Sequence, residues 1–383
     1  MKHPLRLALA LSVLLAACTA TPPKPAIAPV GVVAPAFGVT KWEMLPGWQT
    51  MNIAPAWPAF MQSCKVLKFK PHWQAACGEA AQIAPNDGEA QRAFFQNWFV
   101  PYQVHNPDGT DHGMITGYYE PLLHGSRVKT ARFRYPLYGV PGDLLTIDLG
   151  GAYPELKGQR LRGRLDGKRV VPYYSRADID AGKAPLKGRE LLWVDDALAL
   201  FFLQVQGSGR VELPDGSMVK VGYADQNGQP YSSIAGKLVE MGAFKLQDAS
   251  MQRVKQWADS HPRQVPALLE HDASYVFFRV LPGALTGPLG ALGVPLTDEY
   301  SLAVDPRTIP LGAPVFISTT LPNSNAPLNR LMLAQDTGGA IRGAVRADFF
   351  WGFGKDAAAL AGRMKQQGKL WVLFPKGGEP ILN

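Results

Sequence analysis

Near the C-terminus the chain reads AVDPRTIPLG and then AQDTGGAIRGAVRADFFWGFG, which sets Asp305, Asp336 and Asp348 in short apolar or glycine-rich surroundings. Asp336 follows the apolar run Leu331 to Ala334, which reads as a buried strand, and Thr337-Gly338-Gly339 then forces a tight turn. Asp348 comes twelve residues later, directly before Phe349-Phe350-Trp351. A carboxyl beside large apolar rings is disfavoured as an anion, and a second carboxylate nearby disfavours it further. Such a group keeps its proton near neutral pH and can donate it to a leaving group. Spacing alone leaves a second reading open, in which all three aspartates merely cap turns. Asp305 precedes a proline and Asp336 lies just before a Gly-Gly.

The rest of the chain offers little competing chemistry. Asp336-Thr337-Gly338 mimics the active-site triplet of aspartic proteases, but those enzymes need two facing triplets and this chain has one. At 383 residues it is also too long to be a half-sized dimeric protease. Ser208 lies in QGSGR, which is not G-x-S-x-G, so a nucleophile elbow is excluded. The seven histidines include no H-E-x-x-H, and no Cys/His spacing suggests zinc. No Walker or dinucleotide loop is present, and no cofactor or metal is expected.

Two motifs stand upstream, TGYYEP at Thr116 to Pro121 and QVQGSG at Gln204 to Gly209, and an apolar strand KLWVLFPK closes the chain at Lys369 to Lys376. With the aspartate segment, in this order, they make the chain resemble the MltA family of membrane-bound lytic murein transglycosylases, which carry a "3D" domain named for three aspartates. The resemblance runs from about Gly113 to Pro375. It implies a mainly β protein with flanking helices. A double-psi β-barrel domain would comprise residues 43–121 and 282–383, with the 3D region at about 297–375. A second β-barrel domain, the MltA-specific part, would be inserted over 122–281, with a glycan cleft between the two.

The resemblance further implies a lytic exotransglycosylase that cleaves the β-1,4 bond between N-acetylmuramic acid and N-acetylglucosamine in peptidoglycan glycan strands without hydrolysis. Asp348 aligns with the family's catalytic aspartate and would serve first as acid and then as base. Asp336 would hold or tune it, and Asp305 would do similar work from further away. Thr116, Tyr118, Tyr119, Gln206, Gly207, Ser208, Gly338 and Gly339 would line the substrate groove. Tyr118 and Tyr119 could stack on sugar faces or be core aromatics at a strand end. Gln206 and Ser208 could donate to N-acetyl or hydroxyl groups, while the glycines permit close backbone approach or merely a β-bulge. Two other readings stay open: a two-carboxylate glycoside hydrolase on the same fold, and a non-catalytic peptidoglycan-binding lipoprotein.

The elements that must position these residues can be sketched from the pattern. Met1 to Ala17 carries Lys2 and Arg6 before an apolar run that is too short to span a bilayer and reads as a secretory signal. Leu15-Ala16-Ala17-Cys18 fits a bacterial lipobox, so Cys18 would be lipidated and anchor the chain in a membrane. Thr19 after the cysteine favours the outer membrane, with the protein facing the periplasm. Residues 18–42 are rich in proline and alanine and read as a tether. Cys64 and Cys77 remain as a pair suited to a disulfide in an oxidising compartment.

The chain is 46% hydrophobic and 18% charged, an ordinary globular composition, and its 33 prolines and 39 glycines argue for a turn-rich β architecture. A net charge of +8 suits an anionic partner such as carboxylate-rich peptidoglycan, and the compartment excludes nucleic acid. Helices are expected over Ala54 to Leu67, Trp73 to Ile83, Gly88 to Phe99, Ile234 to Met241 and Met251 to Trp257. Strands are expected at Met114 to Tyr119, Arg132 to Tyr138, Leu144 to Leu149 and Tyr275 to Val280, with a hairpin about Pro214-Asp215-Gly216-Ser217. The dense apolar run Ala197 to Gln206 fits strand or helix.

Overall fold

The structure is a computed structural model that describes residues 36–156, 159 and 161–378. The signal segment, Cys18 and most of the tether lie outside the described residues. Strand β1 (Phe37–Val39) is followed by helices α1 (Trp57–Leu67), α2 (Pro71–Ala80) and α3 (Gly88–Trp98). Pro71 opens α2, where its missing N–H costs nothing, and the Asp87 side chain caps α3 by accepting from the Ala90 N–H. The apolar stripes of these helices interlock through rings. Phe60 meets Phe95 at 5.1 Å between centroids, and Trp57 meets Phe94 at 5.4 Å. Cys64 on α1 and Cys77 on α2 form the expected disulfide, with Cα atoms 5.5 Å apart. A loop of this length, once closed, stabilises a fold by about 3 kcal/mol.

Strands β2 (Phe99–Val104) and β3 (Gly113–Glu120) come next. The chain then builds a separate set of strands: β4 (Leu122–Ser126), β5 (Tyr135–Tyr138), β6 (Leu145–Ile147), β7 (Leu161–Asp166) and β8 (Arg169–Val171). After α4 (Arg176–Asp180) and β9 (Glu190–Val194), the run left open between strand and helix is α5 (Ala197–Gln206). Its ends decide the matter. The Asp196 side chain accepts from the Leu198 and Ala199 N–H groups, and Gly207 at φ +80° ends the helix in a conformation that L side chains resist. The hairpin is β10 (Ser208–Glu212) with β11 (Met218–Gln226), pairing Glu212 with Met218. Helices α6 (Ile234–Glu240), α7 (Met251–Ser260) and α8 (Val265–Glu270) lead to β12 (Val276–Val280). The remainder is β13 (Ser301–Val304), β14 (Pro314–Thr320), β15 (Pro327–Asp336), β16 (Ala347–Phe353), α9 (Lys355–Ala361) and β17 (Lys365–Pro375).

The first sheet runs β1-β2-β17-β14-β15-β13-β16-β3, and β3 pairs back onto β17. Six strands therefore close into a barrel, as expected of a double-psi domain. The length of β17 makes closure possible, because Lys365–Gly368 pairs with β3 while Lys369–Val372 pairs with β14. Pairing is mixed: β13–β15 and β16–β3 are parallel, and the other barrel pairs are antiparallel. The helices α1 to α3 share one apolar core with these strands.

A second sheet runs β12-β11-β10-β4-β9-β5, and a bridge from Gly139 to Phe278 brings its two edges together. It encloses its own core, including Leu123, Leu192, Val211, Val221 and Phe278. A small sheet, β6-β7-β8, stands beside it in sequence. Among the described residues no helix is long and apolar enough to cross a membrane.

Candidate active site

Strand register assembles the site. Ala303 on β13 pairs with Asp336 of β15 on one side and with Asp348 of β16 on the other, and Asp348 in turn pairs with Thr116 of β3. A single row, Asp336–Ala303–Asp348–Thr116, thus crosses four strands of the barrel. Two inter-strand steps place the aspartate backbones about 10 Å apart. Between the two aspartates in this row stands only the small side chain of Ala303. Residues two apart share a face of a strand, so Tyr118 and Phe350 lie beside this row. Their rings are 5.0 Å apart and join Leu296, Ala303 and Ile341 in a small apolar cluster.

The same alternation corrects one expectation. Phe349 and Trp351 belong to the large core on the opposite face, so Phe350 alone of the three rings shares the face of Asp348. On that opposite face Gly117 is required by close packing. A Cβ there would stand 2.7 Å from Trp351 Nε1 and 2.9 Å from the Ala361 Cα of α9. Helix α9 thereby backs the strand that carries Thr116 and Tyr118.

Asp336 and Asp348 are both half-buried residues. Burial pushes Asp348 above the usual carboxylate range, against the Thr116 hydroxyl, which donates to Oδ1 at 2.6 Å, and the nearby Arg346 cation. Among the described residues no hydrogen bond reaches Asp348 Oδ2. Asp336 is pushed up to about 6, chiefly by burial. The N–H groups of Ala291 and Thr337, each at 2.9 Å, and the Tyr118 hydroxyl at 3.1 Å oppose that rise, and the Asp348 charge adds to it. Burial and both carboxyls hold the Tyr118 phenol far above its ordinary value, so it remains a donor.

Asp305 behaves differently. It is buried at the end of β13, and burial alone would raise it, but the Arg307 guanidinium at 2.9 and 2.6 Å and the N–H groups of Gly343 and Arg307 hold it at about 2. Gly343 lies between Asp336 and Asp348, so this ionised carboxylate ties down the loop that joins β15 to β16. The three aspartates are therefore two facing one row and one fastening the connection between them.

The expected groove residues are divided by the structure. Tyr118 and Tyr119 are both buried, with the Tyr119 hydroxyl against Met251 Sδ at 3.4 Å, so neither offers an open ring face for stacking and the core-aromatic reading of both prevails. Thr116 lies in the carboxyl row and its hydroxyl is committed to Asp348. Gln206 accepts from the Tyr119 N–H at 3.1 Å, which brings QVQGSG beside TGYYEP. Gly207 ends α5 and Ser208 begins β10, largely buried. Gly338 and Gly339 form the turn after β15, where a Cβ on Gly338 would press on Ile341 and Gly339 meets open space. Glu120 is buried and paired with Arg210 at 2.7 Å. Sequence reasoning passed over Arg346, which donates to Thr116 Oγ1 at 2.9 Å. Its position two before Asp348, one residue ahead of β16, is the signal that could have found it.

A closed mixed barrel that sets two half-buried aspartates in one row, with a third aspartate securing the loop between them, is a three-aspartate barrel. Residues 300–374 match the family described as the 3D domain, and residues 114–279 match the MltA specific insert domain. The membrane-bound lytic murein transglycosylase A of Escherichia coli K12 is 34% identical over 280 residues, which span 71% of this chain and 68% of that protein. The crystal structure of MltA from Neisseria gonorrhoeae shares 37% identity at a TM-score of 0.78, covering 91% of this chain and 94% of that one. The structure of E. coli MltA with bound chitohexaose shares 26% identity at a TM-score of 0.68, covering 89% and 95%. The chain belongs to the membrane-bound lytic murein transglycosylase A family.

Proposed function

We propose that this protein is a lytic transglycosylase that cleaves the β-1,4 bond between N-acetylmuramic acid and N-acetylglucosamine in peptidoglycan and leaves a 1,6-anhydro end. The observation that carries the reading is Asp348, a carboxyl raised by burial, held at Oδ1 by Thr116 and without a hydrogen bond at Oδ2 from any described residue. The names of its relatives and the chitohexaose bound to one of them support the substrate class. Asp348 Oδ2 gives its proton to the glycosidic oxygen as the bond to C1 breaks. The carboxylate left behind takes the proton of the muramyl C6 hydroxyl, whose oxygen closes on C1. One residue acts as acid and then base, and no water is consumed. Asp336 fixes Tyr118 and loads the site with a second raised carboxyl, while Asp305 holds the loop between them.

The separation of strands into two sheets with their own cores supports a barrel domain of residues 43–121 and 282–383 with an inserted domain of 122–281. Contacts nonetheless join the described residues into one compact unit. The glycan would lie where QVQGSG meets TGYYEP, with Gln206, Gly207, Ser208, Gly338 and Gly339 nearest its path. Acyl chains on Cys18 would anchor the protein to the outer membrane, facing the periplasm. Cys18→Ser is expected to move it from the membrane to the soluble fraction with unchanged activity in vitro, and a mutant still sedimenting with membranes would reveal another anchor. Incubation with purified sacculi tests catalysis itself. Release of soluble muropeptides is expected, whereas tight binding without release would favour the non-catalytic lipoprotein.

A further inference from the structure

We propose that Arg346 is a positioning residue which, acting through Thr116, dictates that the transferable proton of Asp348 sits on Oδ2. The inference rests on the reading of Asp348 as acid and base. Arg346 Nη2 donates to Thr116 Oγ1 at 2.9 Å, and Thr116 Oγ1 donates to Asp348 Oδ1 at 2.6 Å. A guanidinium has donors only, so the Thr116 oxygen must accept and its one hydrogen is left for Asp348. A proton on Oδ1 would leave that hydroxyl hydrogen without an acceptor in a half-buried site, at the cost of a hydrogen bond. The acid proton is therefore directed to Oδ2, the oxygen to which no described residue hydrogen-bonds. The guanidinium is itself held, because Nη1 donates to the carbonyls of Ala347 and Met114.

The arrangement also serves the return step. Once the proton has left, a fixed cation favours the carboxylate until the C6 hydroxyl proton arrives. The charged and titratable groups facing Asp348 are Arg346 beside its own strand, Tyr118 on β3 and Asp336 on β15. Strand β13 contributes Ala303, and Lys365 on β17, opposite Thr116, is exposed. Tyr118 stays a neutral donor, while a charged Asp336 disfavours the Asp348 carboxylate. Arg346 is thus the cation among these groups whose loss lets Asp348 hold its proton to higher pH.

The test is the pH dependence of kcat and KM on purified, uncrosslinked glycan strands. Arg346→Met is expected to lower kcat by about tenfold and move the alkaline limb of the profile upward by about one pH unit, with KM changed by less than about twofold. Arg346→Lys, which keeps the charge and loses the planar fork, should leave the limb in place while kcat falls by about threefold. In a Thr116→Val background, adding Arg346→Met should lower kcat by less than about twofold more, because the path it acts through is already cut. An Arg346→Met limb that superposes on wild type, or an undiminished cost in Thr116→Val, would overturn the proposal. Should circular dichroism show Arg346→Met unfolded, Arg346→Lys decides, and an undiminished kcat or a displaced limb in that variant rejects the role. Activity persisting in Asp348→Asn would reject the acid assignment itself, whereas an inactive Asp348→Asn with an unmoved Arg346→Met limb rejects only the role of Arg346.

Discussion

Asp348→Asn is expected to lower turnover of sacculi by roughly 10³-fold or more while leaving the fold and glycan affinity nearly intact. The amide is isosteric and can still accept from Thr116, but it can neither give up a carboxyl proton nor reclaim one. Because one residue supplies both steps, no partner remains to rescue half of the reaction. Equilibrium binding of glycan strands and steady-state rates, measured on the same preparation, check both halves of this statement. A variant retaining a tenth or more of the wild-type rate would place the acid elsewhere.

Asp336→Asn should change the pH dependence of stability as well as activity. The folded carboxyl is raised to about 6 from an ordinary value of 3.8, so the folded state binds the proton more tightly than the unfolded chain does. Its stabilising contribution is complete below the unfolded value and is lost as pH rises through about 6. Partial solvent access reduces the effect, which leaves a loss of the order of 2 kcal/mol across that window. The amide never ionises, so thermal melts of Asp336→Asn should decline less than wild type between those pH values. Its activity should fall severely without vanishing, because Asp336 supports Tyr118 and influences the Asp348 carboxyl without exchanging the proton. Melting curves that run parallel to wild type across pH would show Asp336 to be an ordinary solvated carboxylate.

Local pattern made much of the fold readable. Apolar periodicity announced α1 to α3, and the Pro-Asp-Gly-Ser turn announced the β10–β11 hairpin. The run that became α5 was ambiguous because a nearly continuous apolar stretch shows neither period, and only Asp196 and Gly207 at its ends reveal the helix. The first four residues of β17, Lys365 to Gly368, are mostly polar and gave no strand signal, yet they close the barrel.

The site was legible as a set of aspartates and not as a geometry. Thr116 and Asp348 are 232 residues apart, and nothing local encodes a register between strands so distant in sequence. That register is what places Ala303 between the two carboxyls and makes Thr116 a carboxyl partner. Reading Phe349-Phe350-Trp351 as one apolar wall ignored strand alternation, which sends two of the rings into the core. The rule that corrects it also selects Arg346.

The central claim is that bond cleavage proceeds through one carboxyl and an internal hydroxyl, with no water consumed. Digesting sacculi in heavy-oxygen water and weighing the released muropeptides by mass spectrometry tests this most directly. The account predicts products one water lighter than hydrolytic ones, with 1,6-anhydro ends and no heavy oxygen incorporated. Reducing ends that carry the heavy isotope would contradict it and assign Asp336 and Asp348 to a two-carboxylate hydrolase.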